Sequence, residues 1–299
     1  GEMYIQRSEF KRAAEVFGRL AGRTDVPRFV VNLARLYYAR ALATDGRLED
    51  ALAALKELEA EPRWRQDAHY TKAVLLAMAG RPEEAVAILD ELTRAAADPE
   101  SPNRRLLRRI VDAYMLMRDA RRAVEVCDKA IVLSPDEIDP ILTKARILAR
   151  VGRTEEAISL YRRAIERQPD ALDLYRVLAR ILEARHRLPE ALKVLEDLAE
   201  RGEAGQHAAI VERGRILERW GLPRQAVASF DRLGELGYQE VPGVQMALAR
   251  GLFDLGRKEA AREALARIPR YSRYYVVSRQ LLARLQESSE DQLDILADL

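Results

Sequence analysis

The stretch GRTEEAISLYRRAIERQP, Gly152 to Pro169, carries its own start and stop signals. Gly152 suits a turn, Glu155 and Glu156 put negative charge where a helix begins, and Pro169 closes the run. Between them Ala157, Tyr161, Ala164 and Ile165 recur at helical spacing, which predicts an amphipathic helix. The pattern then repeats along the chain. Ala157 has counterparts at Ala123 and Ala191, each 34 residues away, and further ones at Ala51, Ala85, Ala226 and Ala261. A turn precedes each of them, holding Gly46, Gly80, Gly152, Gly221 or Gly256, with Arg118 and His186 in the two exceptional units.

Seven units follow: 32–65, 66–99, 104–137, 138–171, 172–205, 207–240 and 242–275. The extra residues 100–103, 206 and 241 fall at unit junctions, where the expectation is that a loop absorbs them. An alanine recurring at one place in every unit suits a close approach of two helix backbones, with larger residues expected to fill the space beside it. A single pair of this kind cannot bury its own apolar face, so stability has to come from stacking on neighbours.

The spacing resembles the tetratricopeptide repeat family, whose unit is a 34-residue pair of antiparallel helices. That family has a small residue at repeat position 8, a large one at 11, glycine at 15 and alanine at 20. An aromatic or leucine follows at 24, a small or apolar residue at 27, and proline at 32. In 138–171 these places hold Ala145, Leu148, Gly152, Ala157, Tyr161, Ala164 and Pro169. The unit before it supplies Val111, Tyr114, Ala123, Cys127, Ala130 and Pro135, while other units put Arg63, Ala97 or Glu203 in the proline's place.

The resemblance implies an all-α fold: a right-handed superhelical solenoid of antiparallel helix pairs, with about seven complete repeats. On this reading 1–299 is one solenoid, with a partial repeat over 1–31 and a partial or capping repeat over 276–299. Gly1, Tyr4, Ser8, Ala13, Phe17 and Leu20 fall on positions 8, 11, 15, 20, 24 and 27. Residues 276–287 resemble another first helix with Ala283 at the small position, and Ser288 or Ser289 would cap a last helix through EDQLDILADL. The expectation is a segment of a longer repeat protein.

Composition agrees with helix: of 299 residues 48% are hydrophobic and only 6% aromatic, with 15 glycines and 12 prolines. A net charge of +2 gives no global field to attract nucleic acid or a membrane. The basic residues are 43 arginines against 7 lysines, which suits fixed ion pairs and equally suits a GC-rich, bacterial genome. One cysteine, Cys127, excludes an internal disulfide and a cysteine-based zinc site, and fits either a cytoplasmic or a periplasmic protein. No apolar run approaches the ~18 residues of a membrane span.

Catalytic constellations are not legible. His69, His186 and His207 sit in different repeats without metal-ligand spacing, and no nucleophile elbow or phosphate-binding glycine loop follows a predicted strand. Glu83/Glu84 and Glu155/Glu156 are helix-start signals, and Cys127 occupies a packing position. The expectation is a non-catalytic protein without cofactor or metal.

In the family, positions 2, 5, 9, 12 and 13 of the first helices line the concave face. Position 9 reads Arg40, Val74, Asp112, Arg146, Arg180, Arg215 and Arg250; position 5 adds Tyr70, Arg108 and Arg176, and position 2 adds Arg105. Such a row can hold carboxylates or phosphates of an extended ligand. The expected partner is a protein or peptide, acidic by preference, with an anionic polysaccharide the lesser option and no nucleic acid. Asp112, Asp139, Asp173, Glu183, Glu218 and Asp254 share that face, so internal ion pairing is an equal reading of the same arginines. Lysine at position 5 with asparagine at 9, the pair of the chaperone-tail-binding members, occurs nowhere. An asparagine ladder is excluded, since only Asn32 and Asn103 are present. The function expected is an interaction scaffold; a periplasmic scaffold of exopolysaccharide export and the regulatory arm of an enzyme are the alternatives.

Overall fold

An alanine placed where two helices touch has to lose its contact with water. Ala51, Ala85, Ala123, Ala157, Ala191, Ala226 and Ala261, all at position 20, are each 0% exposed. Position 11 behaves likewise, with Leu42, Leu76, Tyr114, Leu148, Leu182, Leu217 and Leu252 all buried. The computed structural model describes residues 10–237, 241–285 and 295. Among the described residues the chain forms sixteen α-helices and no strand.

Two compact units divide between Arg153 and Thr154. In the first, the helices are α1 (Phe10–Ala21), α2 (Arg28–Thr44), α3 (Leu48–Glu59), α4 (Arg65–Met78), α5 (Pro82–Ala96), α6 (Arg104–Leu116), α7 (Ala120–Leu133) and α8 (Asp139–Arg150). Each packs on the next in order, and the first helices α2, α4 and α6 also touch in succession. Tyr38 of α2 lies against Gly18 of α1, where an added Cβ would sit 3.0 Å from its ring, and Tyr37 stacks on Phe17 at 5.1 Å.

In the second unit the helices are α9 (Thr154–Arg167), α10 (Leu172–Ala184), α11 (Leu188–Ala199), α12 (Gly202–Arg219), α13 (Pro223–Glu235), α14 (Pro242–Asp254), α15 (Lys258–Ala266) and α16 (Tyr275–Leu285). Neighbours again pack in order, with α10, α12 and α14 in contact. Gly214 and Phe230 fit together most closely. A Cβ at Gly214 would lie 2.4 Å from the Phe230 ring, so the ring occupies the volume that any other residue at position 8 would fill.

The turn inside each pair is one hydrogen-bonded motif used seven times. The position-16 N–H donates to the position-11 carbonyl: Arg47 to Leu42, Arg81 to Leu76, Asp119 to Tyr114, Arg153 to Leu148, Arg187 to Leu182, Leu222 to Leu217 and Arg257 to Leu252, all at 2.9–3.0 Å. This helix-terminating bond requires the residue before it to be left-handed. Gly152 has φ of +84°, and the two exceptions comply at a cost: Arg118 stands at φ 60° and His186 at 58°. Arg118→Gly and His186→Gly are therefore each expected to stabilise the chain by about 0.5–1 kcal/mol, and Gly152→Ala to destabilise it by about 1 kcal/mol. Urea midpoints of the three variants check both signs.

Several turns also carry a clamp. The Arg187 guanidinium reaches Glu190 in its own repeat at 2.6 Å and Glu155 in the preceding one at 2.7 Å. Arg81 does the same with Glu84 at 2.5 Å and Glu49 at 2.9 Å. Lysine's single ammonium lacks the planar fork that addresses two carboxylates in this way.

The structure corrects one expectation. Residue 206 is not absorbed by a loop but lies inside α12, which starts early and runs for 18 residues. Gly202 takes φ of +74°, and a Cβ on Gly205 would meet the Leu198 carbonyl oxygen at 2.5 Å. The two glycines let the chain leave α11 and re-enter a helix almost at once, taking Glu203 into the first turn of α12. At the start, Ala13 and Phe17 are buried as their positions require; at the end, so is Ala283. Gly1, Tyr4, Ser8, Ser288, Ser289 and the last-helix stretch apart from Ile295 lie outside the described residues.

Candidate functional site

A guanidinium with a carboxylate in reach is occupied; one without is available. In the second unit the inward arginines other than Arg250 are occupied. Arg180 donates from Nε to Glu212 Oε1 at 2.5 Å and from Nη2 to Oε2 at 3.1 Å, and Arg215 stands 4.0 Å from the same carboxylate. Glu212 is only 1% exposed. Burial pushes its carboxyl up, but the Arg180 hydrogen bonds, with Arg176 and Arg215 close by, outweigh that and hold it below the usual carboxylate range. Arg176 pairs with Asp173 at 2.9 Å, and Arg219 with Glu183 at 2.6 Å. Arg250 makes no ion pair among the described residues and lines a cleft of about 300 Å³ with Glu218, Asp254 and Arg284.

In the first unit the balance is reversed around one cleft of about 470 Å³ formed by α6, α7 and the start of α8. Asn103 begins α6 by accepting a hydrogen bond from the Leu106 N–H at 3.0 Å. Arg104 is taken by Glu137. Arg105 and Arg108 are exposed and make no ion pair among the described residues. Arg146 of α8 reaches only neutral acceptors, the Leu142 carbonyl at 3.3 Å and Thr143 Oγ1 at 3.2 Å. The floor is apolar, made by Leu107, Val111, Cys127 and Ala130. Burial pushes the Cys127 thiol up to about 12, so it is neutral there and behaves as a small apolar group.

Tyr70 and Arg40 lie elsewhere in the first unit. Arg109 stacks over the Tyr70 ring, 4.0 Å from its centre, and also pairs with Asp67. Arg40 is exposed and without an ion pair among the described residues. The structure thus brings Arg105, Arg108 and Arg146 to one cleft, and gathers Arg176, Arg180 and Arg215 around a buried carboxylate. Sequence reasoning missed Glu212 as that hub, although a glutamate three residues before Arg215 is the visible trace of it. It also missed the Arg109–Tyr70 stack. Among the described residues no three histidine, cysteine or acidic side chains are grouped to hold a metal ion, and no helix is long and apolar enough to cross a membrane.

Stacked antiparallel helix pairs, each closed by the same turn, define a helical repeat protein. Three stretches, 42–110, 142–206 and 242–267, match family models described as tetratricopeptide repeat, and together they span more than half of the chain. The chain belongs to the tetratricopeptide repeat family, which supports a role in protein–protein interaction. Among solved structures it is similar to Pseudomonas aeruginosa PilF, with 18% identity over 65% of this chain and 87% of that one, at a TM-score of 0.47. Yeast Tom70 matches with 15% identity over 97% of this chain and 58% of that one, at 0.43. MamA matches with 18% identity over 56% and 96%, at 0.39. The comparison with curated proteins returned no match.

Proposed function

We propose that this chain is a non-catalytic scaffold that holds a segment of a partner protein against the exposed side chains of its first helices. The observation that carries the reading is the asymmetry of arginine pairing between the first helices and the turns. Arg105, Arg108 and Arg146 face one cleft without a carboxylate partner, whereas the turn arginines Arg47, Arg81 and Arg187 are paired. An exposed guanidinium without a carboxylate gives up its water when one arrives, and gains a charge-assisted hydrogen bond in return.

Site-specific photo-crosslinking in a lysate of the source organism tests this. A crosslinking amino acid at Arg40 or Arg146, on first helices, is expected to capture partner protein. The same residue at the exposed second-helix positions Glu91 or Val132 is expected not to. Adducts formed only from Glu91 and Val132 overturn the proposal.

A further inference from the structure

The α6–α8 cleft has two chemistries at once, and together they narrow what fits. Its rim carries Arg104, Arg105, Arg108 and Arg146 against two carboxylates, Glu137 and Asp139, and Arg104 already engages Glu137. Covering that rim with a neutral or basic chain would strip water from guanidinium groups and give nothing back. An occupant with carboxylates compensates them, and bidentate geometry rewards carboxylates placed on either side of the cleft. The floor asks for something different. Leu107, Val111, Cys127 and Ala130 offer aliphatic and thiol surface, and no aromatic side chain lines the cleft on which a nucleobase could stack. Its volume of about 470 Å³ lies within the ~300–1,000 Å³ typical of sites that enclose a ligand group.

We infer that this cleft binds an internal acidic segment of a partner chain by seating one aliphatic side chain on Leu107, Val111, Cys127 and Ala130. The flanking carboxylates of that segment reach Arg105 and Arg108 on one side and Arg146 on the other. The inference rests on the reading that first helices hold the partner, and it adds the chemical class of the segment. Neither half of the site suffices alone. Exposed arginines by themselves would bind any polyanion weakly and in proportion to salt, while an apolar dent by itself would not select a sequence.

Fluorescence anisotropy with labelled, C-terminally amidated peptides and the full chain is the test. The probe is a short peptide with acidic residues flanking one central leucine. It is compared with a leucine-to-glycine version, an amide version with Gln and Asn replacing Glu and Asp, and an otherwise neutral peptide ending in a free carboxylate. Each change is expected to weaken binding about tenfold or more, the leucine change through lost apolar burial and the amide change through lost charge. The double substitution Arg108→Glu/Arg146→Glu is expected to abolish the preference for the acidic peptide. Arg94→Glu on α5, exposed and outside the cleft, leaves binding unchanged. Circular dichroism of each variant confirms retained helix.

Equal affinity for the amide peptide, or binding indifferent to Arg108→Glu/Arg146→Glu, overturns the inference. Tighter binding of the free-carboxylate peptide overturns it in favour of chain-end capture. No binding of the acidic peptide up to about 1 mM also overturns it. If that result accompanies first-helix crosslinks in the lysate, only the segment class fails; without such crosslinks, both readings fail.

Discussion

Phe230→Ala is expected to destabilise the second unit by about 3–5 kcal/mol, because the ring is 1% exposed and fills the volume left open by Gly214. The informative experiment pairs it with Gly214→Ala. In the parent chain the added methyl lands 2.4 Å from the ring, and a buried ring has nowhere easy to go. Overpacking of this kind costs about 1–3 kcal/mol, partly offset by the ~1 kcal/mol that alanine gains over glycine within a helix. Once Phe230 is alanine, the clash is gone and the same Gly214→Ala change becomes stabilising. The sign of one substitution thus depends on the residue at the other position. Amide exchange in α12 and α13, read beside urea unfolding, localises the effect. If Gly214→Ala costs the same in both backgrounds, the close fit of these two residues is not what holds the pair together.

Arg180→Ala is expected to cost about 2–3 kcal/mol at neutral pH, more than an exposed ion pair would, since it strands the buried Glu212 carboxylate. Arg215, 4.0 Å from that carboxylate, keeps the loss below that of a fully abandoned charge. The pH dependence carries a definite sign. In the parent chain the Glu212 carboxyl is held below its ordinary value, so its contribution is present above the ordinary glutamate range and is lost as pH falls through the lowered value. Without Arg180, burial dominates and raises the carboxyl, and the stranded group is relieved by taking up a proton. The gap between Arg180→Ala and the parent should therefore be widest near pH 7 and narrow towards pH 4, which thermal melts at the two pH values would show. A gap that widens in acid would mean that Glu212 is not the group responsible.

Much of the architecture could be read before any coordinates. Alanine at position 20 and leucine or tyrosine at position 11 are local packing demands, repeated seven times, and repetition separates them from chance. The same frame placed Arg118 and His186 at turn positions, and both adopt the left-handed conformation that glycine takes elsewhere. The frame failed at residue 206, because a counted insertion says nothing about whether a loop or a longer helix absorbs it. There the answer lay in Gly202 and Gly205, which permit a tight re-entry. Candidate site residues were less legible. Arg180 finds Glu212 and Arg219 finds Glu183, 32 and 36 residues apart in sequence, and several nearby acids were equally spaced choices. Which guanidinium is occupied depends on side-chain reach between successive helices, and the periodic pattern does not encode it.

In both units each helix packs mainly on the next one along the chain. A polypeptide arranged in this way closes only short loops as it gains structure, and the entropy of each closure is recovered at once by the pair it completes. No late step has to join distant ends before the earlier contacts count. Folding can therefore start at any well-packed pair and spread outward, with pairs such as Gly214–Phe230 as favourable starting points and outer helices free to open alone.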